Sequence, residues 1–229
     1  MSLKITWKYL LGFISLNMLL GELHEQAHIQ TGYAICGCYG YRDISSWATC
    51  NTCAHAGYAL WATAAGPVFS YLLYWIAAFW LLKKPEEKYR RAGLAVLFGS
   101  LPFARIFTAV MGGGDEKVVL MGLFNHLPLL PVKLLAILVT LLFCLLPLVM
   151  GVKNLPAANR WLYAAGFIIG PLLFGICWQR FLLNGLLGKG IGAIPIIAGS
   201  PLLVVVHFIS MGILFLFFGR FLIKTSTEH

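Results

Sequence analysis

Residues 5–29 read ITWKYLLGFISLNMLLGELHEQAHI. Up to Leu20 the run is dominated by Leu, Ile, Phe and Trp, and its last two turns hold Glu22, His24, Glu25 and His28. A helix needs about 20 apolar residues to cross the hydrocarbon layer, so the stretch reads as a membrane span with a polar end. Lys4 and Lys8 ahead of it match the start of a signal peptide, but the polar end lacks a small-residue cleavage site, and the segment is expected to remain as a permanent span. An ionisable group deep in a span costs about 2.5–3.5 kcal/mol, so four of them within two turns imply a role.

The remainder of the chain has the same character. Of its 229 residues, 60% are hydrophobic and only 11% charged. That leaves too little polar surface to keep so much apolar side chain in water, which excludes a soluble enzyme, a disordered tail or a nucleic-acid binder. The expected fold is all-α: a polytopic membrane protein with about six transmembrane helices, near residues 5–29, 56–82, 92–111, 134–150, 161–178 and 201–222. Residues 118–131 are apolar but interrupted by Asn125, His126, Pro128 and Pro131, which suits a re-entrant or surface segment; residues 182–200, rich in glycine, are ambiguous. No linker or internal repeat divides the chain. It reads as one transmembrane domain, 1–229.

The net charge of +9 sorts by topology rather than by a phosphate-binding face. With six spans and a cytoplasmic N-terminus, Lys4, Lys8, Lys83, Lys84, Lys88, Arg90, Arg91, Lys153, Arg160, Arg220 and Lys224 fall inside. Arg42, Lys117, Lys133, Arg180 and Lys189 fall outside, and Arg105 lies within the third span. The positive-inside rule then places both termini in the cytoplasm and the polar end of the first span on the extracytoplasmic side, in a plasma or inner membrane.

The polar end itself spells His24-Glu25-Gln26-Ala27-His28, a match to H-E-x-x-H that random placement would produce on the order of 0.004 times in this chain. Residues four apart share a helix face, so both imidazoles reach one ion, and Glu25 beside them can take a proton from water. Catalytic zinc takes three protein ligands and keeps one position for water. The third is sought in Gly112-Gly113-Gly114-Asp115-Glu116: counting crossings returns Asp115 to the side of the membrane that holds His24 and His28, and the glycines permit a close backbone approach. Glu116, Glu22, His55 and His126 are alternatives for that position.

With these residues the chain resembles the site-2 protease-like intramembrane metalloproteases. The resemblance covers roughly the first 120 residues, which makes 1–120 a three-helix catalytic core and 121–229 additional helices, and rests on His24-Glu25-x-x-His28 in a span, Ala65-Gly66-Pro67 in the next span, and an Asp after a further crossing. It implies one catalytic zinc held by His24, His28 and Asp115, with Glu25 as the base. It also implies hydrolysis of membrane-protein or peptide substrates within or beside a transmembrane segment. In that family an Asn-x-x-Pro run ends in Leu-Asp-Gly, whereas here Leu101-Pro102 lies upstream and the glycines precede Asp115.

Four cysteines, Cys36, Cys38, Cys50 and Cys53, occupy the loop after the first span. Two disulfides suit an extracytoplasmic loop; a structural zinc site is the competing reading. Asn17, seven residues before His24, shares its face and serves either as a contact to substrate or as interhelical glue; His126 is a candidate to stabilise the transition state or to cap a helix. Arg105 is expected to pair with a carboxylate or to snorkel. Two other functions compete with hydrolysis: a metal-binding carrier or assembly factor, and an inactive protease relative that holds membrane clients. Oligomeric state is not legible from the chain.

Overall fold

The structure, a computed structural model, describes residues 3–224. It is mostly helical, in ten α-helical segments among the described residues, with one small hairpin. α1 spans Trp7–Cys36 and is capped at its start by Thr6, whose side chain accepts from the Tyr9 N–H, and at its end by Gly37 in the left-handed region (φ 71°). α2 (Ala59–Ile76) runs on as a π-helical turn to Leu81; α3 (Glu87–Gly99) and α4 (Pro102–Val110) follow, separated by a break. α5 (Asp115–Leu123), α6 (Leu129–Asn154), α7 (Arg160–Gly175, extended by a π-helical stretch to Leu183) and α8 (Asn184–Gly188) come next. β1 (Pro195–Ile197) and β2 (Ser200–Pro201) pair antiparallel, and α9 (Leu202–Phe218) and α10 (Arg220–Ile223) complete the fold.

Four helical stretches are long and apolar enough to cross a membrane: Ala59–Leu81, Glu87–Val110, Leu129–Asn154 and Ala157–Gly188. They coincide with four of the six expected spans. α9 is a shorter apolar helix, and α1, though 30 residues long, is diluted by Lys8, Glu22, His24 and Glu25. The apolar side chains divide as a bilayer requires. Tyr9, Phe13, Leu94, Leu97, Phe98 and Phe167 form a buried core between α1, α3 and α7, while Leu130, Leu138 and Leu142 line an exposed ridge of α6. The interrupted segment 118–131 holds the short α5, and α6 starts at Leu129, five residues before the expected span. Residues 182–200 end in the hairpin, a small departure from all-α.

The apolar stretch Glu87–Val110 is broken between α3 and α4. Leu101 sits in the left-handed region (φ 57°), strained for a side chain with a Cβ, and Pro102 opens α4 in the position where its missing N–H costs nothing. Backbone freed at membrane depth is tolerated where protein buries it or a cavity adjoins it. Here the Gly99 carbonyl accepts from Asn17 Nδ2 (2.6 Å) and the Ser100 carbonyl from the Tyr74 hydroxyl (2.9 Å).

The loop after α1 folds back over that helix. Cys36 is bonded to Cys53 and Cys38 to Cys50, so of the two sequence readings the disulfide one is adopted. Between the cysteines, Arg42 is almost wholly buried and makes a bidentate pair with Glu22 (2.7 and 2.5 Å) while its Nη1 also donates to Ser200 Oγ (3.1 Å). One guanidinium thus ties α1, the disulfide loop and the hairpin before α9. Asn184 adds a tether by accepting from the Ile44 N–H (3.2 Å).

Candidate metal centre

His24 and His28 lie on the face of α1 that packs against α2. Their closeness to α2 depends on Gly66: a Cβ there would fall 2.6 Å from His24 Cε1 and closer still to His28 Nε2. α2 supplies the outer partner of each ring. His28 Nδ1 lies 2.8 Å from the Ala62 carbonyl oxygen, an acceptor only, so Nδ1 carries a proton and the neutral ring presents a lone pair at Nε2. His24 Nδ1 is 3.0 Å from Ser70 Oγ, which can accept in the same way. Trp47 of the disulfide loop stacks on His28 (centroids 5.1 Å apart, 18° between planes), which leaves that imidazole 1% exposed.

The third group arrives from the start of α5. Gly112 (φ 78°) and Gly114 (φ 92°) adopt conformations that side chains avoid, and the turn they make aims Asp115 back at the histidines. The three facing atoms form a triangle: His24 Nε2 to His28 Nε2 is 3.1 Å, and Asp115 Oδ2 is 3.5 and 3.7 Å from them. Tetrahedral zinc with bonds of about 2.0–2.1 Å separates its ligand atoms by about 3.3 Å, so this donor set and its spacing fit such an ion. His24, His28 and Asp115 are a group able to hold a metal. Glu25 and Asp115 line one cavity with His24, about 380 Å³ in volume, walled also by Ser70, Ser100, Leu101 and Arg105.

Arg105 of α4 reaches the same Asp115 oxygen that faces the histidines, and its Nη1 lies 3.4 Å from His24 Nε2. Its Nη2 is 3.0 Å from Asp115 Oδ2, its Nε donates to Glu116 Oε1 (2.9 Å), and Glu116, buried, also accepts from the Tyr71 hydroxyl (2.5 Å). Burial alone pushes the Asp115 carboxyl up, but the two imidazoles beside it and the Arg105 charge outweigh it and hold the group well below the usual carboxylate range. Asp115 is therefore an anion throughout the range in which a hydrolase works. Three carboxylates, Glu25, Asp115 and Glu116, stand against one guanidinium, Arg105. An ionised Asp115 facing two imidazole lone pairs is a donor set whose charge a cation between them neutralises in a site of low dielectric.

The residues singled out from the sequence separate clearly. His24, Glu25, His28, Asp115 and Asn17 converge on one region. His126 does not: it is exposed, with its ring near Phe124, and is absent from the cavity wall, so it is not placed to stabilise a transition state there. Among the alternatives for the third ligand, Glu22 is engaged by Arg42, Glu116 by Arg105 and Tyr71, and His55 is exposed beside Tyr58. The expected pairing of Arg105 with a carboxylate is met twice. Ser70 and Trp47 carry no signal in the sequence, because each acts through a tertiary approach that leaves no periodic mark; Gly66, noted there with Ala65 and Pro67, shows its contact with the histidines only in the packing of α1 on α2.

Hydrogen bonds behind metal ligands set ring orientation and basicity, and losing one costs about 10–100-fold in affinity. Ser70→Ala is accordingly expected to weaken zinc binding about 10-fold, read by competition with a chelating dye, with little change in thermal stability. Set beside known protein families, curated proteins and solved structures, the chain matches none of them.

Proposed function

We propose that this chain is a zinc-dependent intramembrane endopeptidase that hydrolyses membrane-protein substrates within or next to a transmembrane segment. In this reading α1 and α9 join the four apolar stretches as spans, both termini are cytoplasmic, and the metal centre faces the extracytoplasmic side. The observation that carries it is the convergence of His24 Nε2, His28 Nε2 and Asp115 Oδ2, with Glu25 lining the same cavity.

His24, His28 and Asp115 would hold the ion, and Arg105, itself paired with Glu116, fixes the carboxylate. A zinc ion held there would supply Lewis acidity to the peptide carbonyl and to the attacking water. Glu25 accepts the proton of the attacking water and returns it to the leaving amine. Trp47, stacked on His28, keeps water from that side of the ligands.

A second feature favours a membrane substrate over a soluble one. A groove of about 650 Å³ lies between α2, α5 and α6, walled by Val68, Leu72, Trp75, Val139 and Phe143. Its accessible lining is apolar throughout, and Glu116 stands between it and the polar cavity, lining both. An apolar segment arriving from lipid is then separated from the catalytic cavity by the thickness of one side chain. The test uses purified protein in nanodiscs: metal content is measured, and hydrolysis of transmembrane peptides is followed before and after chelation and zinc return. About one zinc per chain and zinc-restored cleavage are expected. Metal-loaded protein that cleaves none of the peptides would leave the carrier or assembly reading in its place.

A further inference from the structure

Asn17 lies two turns before His24 on α1 and contributes to the wall of the same cavity. The two halves of its amide are used differently. Nδ2 donates to the Gly99 carbonyl at 2.6 Å, closing the end of α3 and fixing which way the amide points, since a flipped amide would set two oxygens face to face. Oδ1 has no hydrogen-bond partner among the described residues, although Asn17 is only 4% exposed. The hydroxyls around the break are spent elsewhere: Ser100 Oγ donates to the Val96 carbonyl, Tyr74 to the Ser100 carbonyl, and Ser70 faces His24. Pinning α1 to α3 needs only the donor half. An enclosed acceptor left over costs as much as a lost hydrogen bond, so packing alone does not account for it.

Resting on the endopeptidase reading, we propose that Asn17 Oδ1 accepts a backbone N–H of the bound substrate about three residues from the bond that is cut. Seven residues of α1 advance about 10.5 Å from Asn17 to His24. An extended strand advances about 3.4 Å per residue, so three residues of substrate cover that distance. The chemistry matches as well as the length. A substrate span must unwind before its carbonyl can be attacked, and each unwound N–H then needs an acceptor in a place with little water. A helical segment has no free N–H to offer, so this contact favours the extended form and makes Asn17 a residue that selects substrate conformation.

The experiment uses zinc-loaded Glu25→Gln protein in nanodiscs, which binds without turnover, and a labelled 12-residue apolar peptide followed by fluorescence anisotropy. Each backbone amide of the peptide is replaced in turn by an ester, which deletes one N–H. One position, about three residues from the cut mapped with unmutated protein, is expected to bind about 10-fold more weakly, and that sensitivity disappears in Glu25→Gln protein that also carries Asn17→Ala. A flat ester profile overturns the proposal and leaves Asn17 as structural glue, and it does so without any Asn17 variant having to fold. Cleavage of the parent peptide by unmutated protein reports separately on hydrolysis. Ester-sensitive binding without cleavage keeps the Asn17 contact and removes the endopeptidase, whereas no binding of any peptide overturns both.

Discussion

Gly66→Ala protein is expected to insert and fold but to bind zinc about 100-fold more weakly, or not at all. The added Cβ would lie 2.6 Å from His24 Cε1 and would overlap His28 Nε2. Neither ring can yield cheaply. His28 is clamped between Trp47 and the Ala62 carbonyl, and His24 is held by Ser70. Either the imidazoles turn out of the triangle they form with Asp115 or α2 moves away from α1, and both outcomes separate the ligand atoms. Overpacking of this kind costs about 1–3 kcal/mol of stability, a modest shift beside the loss of metal. Zinc titration alongside thermal unfolding separates the two effects. Full affinity in Gly66→Ala would mean that the histidines do not meet around an ion.

Glu25→Gln is expected to lower peptide hydrolysis by about 10²–10⁴-fold while zinc content stays at the unmutated level. The exchange keeps the shape of the side chain and removes only its capacity to take up a proton. No ligand atom changes, so binding and chemistry part company, whereas His24→Ala should abolish both together. A purified Glu25→Gln protein with undiminished cleavage would remove the base from the mechanism. If metal binding persists and no variant or parent protein cleaves any peptide, the His pair serves a carrier or an assembly factor.

Much of the centre is legible in the sequence because helical periodicity alone sets it. Two histidines four residues apart on a helix must share a face, and the count of expected crossings puts Asp115 on the same side. The boundaries of α6 were harder to read. Pro128 and Pro131 look like interruptions, yet Pro128 caps the helix and Pro131 lies in its first turn, where an absent N–H breaks no bond. The break at Leu101 left only its Pro102 as a hint. Gly66 could be read as one more small residue of a span; its role appears only once α1 is seen against α2. Trp47 lies in a loop whose path is set by Cys36–Cys53, Cys38–Cys50 and the Arg42–Glu22 pair, and spacing along the chain does not reveal which ring such a loop will cover.

The bond from Arg42 to Ser200 bears on the order of events during synthesis. A nascent chain that has emerged as far as α5 already carries His24, Glu25, His28, Asp115 and all four loop cysteines. Ser200 is translated much later, so the roof over the histidines acquires its last fastening only when the hairpin ahead of α9 is made. A growing polypeptide therefore passes through a stage in which both histidines and Asp115 are present while the cover above them lacks this tie, and maturation ends with the cover secured.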